Sequence, residues 1–255
     1  MTNFSESAQV FKNGLIVGGG QGIGLGFVQQ LLARADTSRI YATYRRLESA
    51  TELLAIQDSR LCCLQMDITN EAQIAAMIQQ IQAETPTLHY AINCVGVLHE
   101  GEMQPEKSIR HINAEQLMRY FQVNSIGAML LFKYVQPLLK HSDRSILATI
   151  SAKVGSIGDN QVGGWYGYRA SKTALNMFIK NTAIEYKRTT PNTIIVAIHP
   201  GTTATRLSQP FQKNVPPEKL FSIDRTVSQL LTVIDRLEPK DSGEFFSWDG
   251  SQLPW

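Results

Sequence analysis

Short apolar runs alternate with stretches of helical periodicity along nearly the whole chain. The first run, Leu15-Ile16-Val17, leads into glycines at Gly18, Gly19, Gly20, Gly22, Gly24 and Gly26, after which Phe27, Val28, Leu31 and Leu32 recur at helical spacing. This reads as strand, glycine turn, helix. Further strands are predicted at Arg39–Tyr44, Leu61–Met66, Leu88–Val95, Ser145–Ile150, Thr193–Ile198 and Gly243–Trp248. Between them, Asn70 caps a helix with Ile74, Met77, Ile78 and Ile81 on one side. Asn113–His141 reads as a long helix, with Gly127 as a close packing point and Pro137 as a kink or break. Tyr168–Tyr186 reads as a helix with Ala174, Leu175, Phe178 and Ile184 as its apolar face, and Asp224–Leu237 as the last helix. Two stretches read as loops: Ser156–Trp165, which carries Gly158, Gly163 and Gly164, and Thr202–Leu220, which has Pro210, Pro216 and Pro217, no clean period and room for short helices. The second has the character of a loop that covers a site.

Regular strand–helix alternation implies parallel strands joined by right-handed crossovers, with helices on both faces. The expected fold is α/β: one doubly wound, Rossmann-type domain spanning 1–255, with its core at about 13–248 and about seven parallel strands. Such sheets bind ligands at the carboxyl ends of their strands. That rule gathers Gly18, Tyr44, Asp67, Asn93, Ser151 and Pro200 on one edge.

Composition narrows the classes. The chain has 255 residues, 43% hydrophobic and 18% charged, enough for one large α/β domain. A formal net charge of +2 without a basic stripe gives no reason to expect a nucleic-acid partner. Cys62, Cys63 and Cys94 lie in apolar runs without metal-ligand spacing, and read as buried thiols in a reducing compartment. No metal site is expected. The opening MTNFSESAQVFK lacks the pattern of a secretion signal, and no apolar run approaches the roughly 20 residues of a membrane span. The expectation is a soluble, cytoplasmic protein.

The candidate chemistry sits in two places. Bare backbone N–H groups at a glycine turn and a helix N-terminus form a phosphate cradle. The spacing is G-x-x-x-G-x-G at Gly18, Gly22 and Gly24, and the strict G-x-G-x-x-G fingerprint is absent in every register. By itself the cluster also reads as a flexible turn. The second place is Tyr168-Arg169-Ala170-Ser171-Lys172, where a tyrosine and a lysine four apart share a helix face. A nearby ammonium favours phenolate and so makes tyrosine usable for acid–base work, although such a pair is commonly only a surface contact.

Taken in order, Gly18-x-x-x-Gly22-x-Gly24, Asn93-Cys94-Val95-Gly96, Asn124, Tyr168-x-x-x-Lys172 and Pro200-Gly201 resemble the short-chain dehydrogenase/reductase family, over about Asn13 to Trp248. Gly163–Asn176, the HPGTTATRLSQPF segment and the FFSWDGSQLPW ending resemble its C-factor-like, sniffer-type carbonyl reductase branch. The resemblance implies that Tyr168 is the general acid/base, Lys172 tunes it and holds the nicotinamide ribose, and Asn124 helps hold a proton-relaying water. It implies a dinucleotide cofactor held by Gly18, Gly20, Gly22, Ile23 and Gly24, by Asp67 and Ile68, by Asn93, Val95 and Gly96, and by Pro200, Gly201, Thr203 and Thr205. Asp67, Asn93 and Thr205 have ordinary structural readings as well. The family commonly forms dimers or tetramers, so a homodimer or homotetramer is expected.

Two departures stand out. The threonine usual before the first motif glycine is Val17 here. In the strand-five motif S-S-x-x-G, the second serine is Ala152. Ser151 is adjacent but faces the other side of a regular strand, and Ser156 lies in the following loop. Either the substrate is held differently or turnover is weak. Cofactor choice follows from the end of the second strand. An acidic residue there would bind the ribose hydroxyls of NAD, whereas Tyr44 is followed by Arg45 and Arg46. Guanidinium groups suit a 2′-phosphate, so NADPH is expected over NADH. The leading expectation is an NADP-dependent oxidoreductase acting on a small carbonyl or alcohol; Trp165, Phe211 and Phe221 point to an apolar or aromatic substrate, although loop aromatics are as often core. The rival is a cofactor-binding sensor or signalling protein with little turnover.

Overall fold

A computed structural model describes residues 11–255. Residues 1–10, on which the expectation of no secretion signal largely rests, lie outside the described residues. The strands of the main sheet are β1 (Lys12–Val17), β2 (Thr37–Tyr44), β3 (Leu61–Gln65), β4 (Tyr90–Asn93), β5 (Ser145–Ile150), β6 (Thr193–His199) and β9 (Glu244–Ser247), and a separate two-residue pair is formed by β7 (Thr202–Thr203) and β8 (Leu220–Phe221). The seven-stranded sheet has the order β3-β2-β1-β4-β5-β6-β9 and is parallel throughout. The order reverses between β1 and β4, which opens a crevice at their carboxyl ends.

Both faces of the sheet are covered, which is why its strands are nearly continuous apolar runs. Alternate residues serve opposite layers. Leu15, Val17, Leu147, Ile195 and Phe245 pack with α3 (Glu71–Glu84), α5 (Gly127–Leu139) and α6 (Tyr166–Thr189). Ile16, Ile40, Ile92, Ile146 and Val196 pack with α1 (Gly22–Leu32) and α7 (Ile223–Arg236). Helix starts follow capping chemistry. Asn70 accepts from Gln73 N at α3, Asn113 from Gln116 N at α4 (Ala114–Phe121), and Ser222 from Arg225 N at α7. The short α2 (Thr51–Leu54) links β2 to β3.

The long helix expected over 113–141 differs in detail. Pro137 lies inside α5 without ending it. The irregularity falls instead at Gln122–Ile126, a π-helical turn between α4 and α5 that carries Asn124. Gly127 is a close packing point as expected, because a Cβ there would meet the backbone oxygen of Ile68 at 2.7 Å. Ile184 is exposed rather than part of the buried face of α6; Leu175, Ile179 and Ala183 fill that face. The loop after β6 does contain short turns, but it is also closed by the pairing of Thr202 with Leu220 and Thr203 with Phe221. That pairing is too short to leave a periodic trace.

No helix among the described residues is long and apolar enough to cross a membrane.

Candidate active site

The carboxyl ends of β1, β4, β5 and β6 bring the two candidate regions together. At the end of β1 the chain turns sharply. Gly18 has φ +84°, and a Cβ there would meet Val95 Cγ2 at 2.9 Å. A Cβ on Gly24 would fall far inside contact distance of the Gly18 carbonyl oxygen, so α1 begins against the strand end. Its Ncap, Gln21, makes no side-chain cap bond, which leaves first-turn N–H groups free for an anion. Gly20 lies over Tyr44: a Cβ there would be 3.3 Å from Tyr44 Cβ. The tie lost at Val17 is supplied from β2, where Thr43 Oγ1 accepts from Gly18 N at 3.0 Å.

β4 delivers Asn93, whose Oδ1 accepts from Val95 N at 3.1 Å and shapes the turn to Gly96. A Cβ on Gly96 would lie 3.5 Å from Lys172 Nζ and 3.6 Å from Asn124 Oδ1, so Gly96, Lys172 and Asn124 meet at one point. Asn124 is buried. Its Oδ1 accepts from Val97 N at 2.7 Å, and its Nδ2 donates to Val97 O and to Ser171 Oγ, each at 3.0 Å. The π turn thus points this amide at the end of β4 and at α6.

Helix α6 is preceded by its Ncap, Trp165, which is in the left-handed region with φ 50°. Its first turn is held from outside by Glu106, whose Oε2 accepts from Gly167 N at 3.1 Å. Tyr168 and Lys172 follow one turn apart and both are buried. Lys172 Nζ donates to Ile150 O at 3.0 Å and lies 6.0 Å from the Tyr168 ring centroid. Burial lowers the ammonium to about 8 and pushes the Tyr168 phenol above its ordinary value. The lowering of Tyr168 expected from a neighbouring ammonium does not emerge. Desolvation disfavours both charges, and Nζ is turned to the strand carbonyl.

An apolar wall surrounds the phenol. Leu98, Tyr120 and Tyr168 form a buried cluster against which Met103, Ala152, Trp165 and Phe211 pack. Trp165 sits 5.0 Å from Phe211 and 6.1 Å from Tyr168 between ring centroids. His99 Nε2 lies 3.2 Å from Leu207 O, which joins the loop after β4 to the loop after β6. Phe221 is not part of this wall. It meets Trp248 edge-to-face, with ring centroids 4.8 Å apart, and fills space beneath Gly201.

The sequence profile of the short chain dehydrogenase family matches residues 12–216. The chain belongs to that family. It is similar to the carbonyl reductase Sniffer of D. melanogaster, with 26% identity and a TM-score of 0.85 over 96% of this chain and 100% of that one. It is also similar to the NADPH-bound carbonyl reductase from chicken fatty liver, with 28% identity and a TM-score of 0.86 over the same shares of 96% and 100%. The C-signal protein of Myxococcus xanthus is 29% identical over 144 residues, 56% of this chain and 81% of that relative. These likenesses support the C-factor-like, sniffer-type branch.

Within this short-chain dehydrogenase fold, the remaining expected site residues separate into those at the crevice and those already engaged. Thr205 lies beside the glycine turn, its Cγ2 3.5 Å from where a Gly22 Cβ would be. Thr203 is buried and its Oγ1 lies 2.9 Å from Thr226 Oγ1. Gly201 has φ +71° after Pro200. Asp67 Oδ1 accepts from Thr69 N and Oγ1 at 2.9 and 2.8 Å, a turn-closing role. Ile68 is buried against Gly127, and Ile23 is partly buried on the α1 side of the sheet. Ser151 points away from Tyr168, and its Oγ donates to Asn176 Oδ1 at 2.6 Å. Ser156 Oγ donates to Trp255 O at 3.2 Å. Ala152 therefore faces the phenol's cluster, while the hydroxyls on either side of it are bonded elsewhere. Arg45 and Arg46 both donate to Glu100. Sequence patterning had no signal for Thr43, Glu106 or the Leu98–Tyr120 wall, because each acts through a contact distant in sequence.

Proposed function

We propose that the protein is an NADP-dependent carbonyl reductase. The carrying observation is the buried Tyr168–Lys172 pair, one helical turn apart, with Lys172 and Asn124 meeting at Gly96 beside the glycine turn. The donor set fits a dinucleotide. Glycine-only space and free N–H groups at α1 suit a diphosphate, and two guanidinium groups at the end of β2 suit a 2′-phosphate. The nicotinamide supplies the hydride when bound. Tyr168 Oη holds a proton, which burial keeps on the phenol at neutral pH, and delivers it to the carbonyl oxygen as general acid. Lys172 provides positive charge behind the phenol and a donor for the ribose. Asn124 fixes the end of β4 against α6 and so sets where the phenol stands. Met103, Trp165 and Phe211 favour an apolar or aromatic carbonyl and exclude water.

A second reading, a cofactor-responsive sensor with little turnover, draws support from Ala152, since Ser151 and Ser156 are bonded elsewhere. The two part in one assay: NADPH oxidation against a panel of aldehydes and ketones, with NADPH affinity measured alongside. Tyr168-dependent turnover supports the reductase. Tight NADPH binding with no Tyr168-dependent turnover on any compound supports the sensor. Exposed Met118, Ile126, Met177 and Ile184 on α4, the π turn and α6 also support association between copies through these helices.

A further inference from the structure

Three guanidinium groups converge on one carboxylate at the cofactor end of the sheet. Arg45 Nη2 and Arg46 Nη2 donate to Glu100 Oε1 at 2.7 and 3.2 Å. Arg119 Nε and Nη2 donate to the other oxygen, Oε2, at 3.1 and 2.9 Å. The arginines come from the end of β2 and from α4, and Glu100 from the loop after β4. Partial burial opposes ionisation of Glu100, but Arg45 and Arg119 outweigh it and hold the carboxyl below the usual carboxylate range.

The charge does not balance. Three cations meet one anion, leaving an excess of about two positive charges, which a phosphate monoester, carrying about two negative charges near neutral pH, would neutralise. The bonding is also divided. Oε1 sits on the two arginines that would receive a 2′-phosphate, while Oε2 is held by Arg119 alone. The Arg45 Nη2 hydrogen bond to Oε1 competes with any phosphate oxygen brought to the same edge.

Resting on the reading of Arg45 and Arg46 as 2′-phosphate ligands, we propose that Glu100 is a displaceable internal anion that governs discrimination between phosphorylated and unphosphorylated dinucleotides, and that Arg119 is the residue that retains it once displaced. A 2′-phosphate takes over Arg45 and Arg46, and Glu100 stays on Arg119. A cofactor with only ribose hydroxyls there has no charge with which to displace it.

The displacement has a route to the phenol. Glu100 and Met103 exchange backbone hydrogen bonds across a tight turn, at 3.2 and 3.0 Å. Met103 packs against the Leu98–Tyr120–Tyr168 cluster. One short turn thus joins Glu100 to the substrate wall.

The test measures NADPH, NADH and adenosine 2′,5′-bisphosphate binding by titration calorimetry on the full chain, for wild type, Arg45→Ala, Glu100→Gln, Arg119→Ala and the Glu100→Gln/Arg119→Ala double variant. Glu100→Gln is expected to tighten NADPH and the bisphosphate about fivefold, the scale of one partly exposed ion pair, with NADH unchanged. Arg119→Ala is expected to weaken NADPH by a similar factor, and much less when Glu100 is already Gln. Melting curves for each variant establish that the fold is kept. If Arg45→Ala weakens NADPH while Glu100→Gln fails to tighten it, or if Arg119→Ala costs the same in both backgrounds, the displaceable anion is wrong and the phosphate assignment stands. If wild type does not prefer NADPH, or Arg45→Ala leaves its affinity unchanged, the phosphate assignment itself falls, and this inference with it.

Discussion

Replacing Asn124 with alanine removes a buried clamp. The amide accepts from Val97 N and donates to Val97 O and Ser171 Oγ. Alanine leaves the two Val97 backbone groups without partners at the end of β4. Ser171 loses less, because its hydroxyl still donates to Tyr168 O at 2.8 Å. A buried polar group left unpaired costs about 1–3 kcal/mol. Val97 is only partly buried, so each of its groups is taken at about 1 kcal/mol, with the lost side-chain packing adding a similar amount. The expected loss is about 3 kcal/mol, or a melting point lower by about 6–12 °C for a chain of this size. Urea unfolding and thermal melting followed by circular dichroism measure it. A residue that acted only in proton relay would lower turnover and leave the melting point within about 2 °C. That result, a loss below about 1 kcal/mol, would refute the clamp.

Other expectations follow from the same geometry. Gly24→Ala sets a Cβ against the backbone oxygen of Gly18, where no flexible side chain can yield; the variant should fail to fold or lose NADPH binding by more than about tenfold. Wild-type melting and affinity would contradict this. Ala152→Ser restores a hydroxyl beside Tyr168 and should raise kcat/KM for carbonyl reduction without changing NADPH affinity; unchanged kinetics would mean the carbonyl is oriented by other groups. Burial lowers His199 to about 4, and its Nδ1 is buried without a hydrogen-bond partner among the described residues. The unfolded chain takes up a proton near pH 6.5 that the folded chain refuses, so this group's contribution to stability is present above that pH and lost as pH falls toward 4. Between pH 7 and 5 the loss is at most about 2 kcal/mol. His199→Gln should flatten that part of the stability profile in urea titrations, and an unaltered slope would show that other groups cause it.

Much of this molecule is written locally. The apolar runs of β1, β2, β5 and β6 are long enough and bounded clearly enough to read directly, and Asn70 caps α3 where its spacing predicts. Carboxyl-end reasoning puts Gly18, Asn93 and Ser151 at one edge, and each follows or ends a strand of the sheet although they are far apart in sequence. What escaped reading is what depends on tertiary partners. The π turn at Gln122–Ile126 leaves the helical periodicity of its neighbours intact, so the sequence points to Pro137 as the irregularity, whose ring α5 tolerates. Thr43 replaces the hydroxyl missing at Val17 from a neighbouring strand. Glu100 and its arginines lie in three separate segments, and only the fold makes them one cluster. The expected depression of the Tyr168 pKa assumed an ammonium free to face the phenol; the bond from Lys172 to Ile150 O removes that freedom.

The most direct measurement is the rate of NADPH-dependent carbonyl reduction by Tyr168→Phe beside the wild type, with NADPH affinity determined for both. Phenylalanine keeps the ring within its wall of Leu98, Tyr120 and Trp165 and removes only the proton-bearing oxygen. Turnover is expected to fall by at least about a hundredfold with NADPH affinity within about twofold of wild type. Tyr168→Phe turning over at the wild-type rate would contradict this expectation.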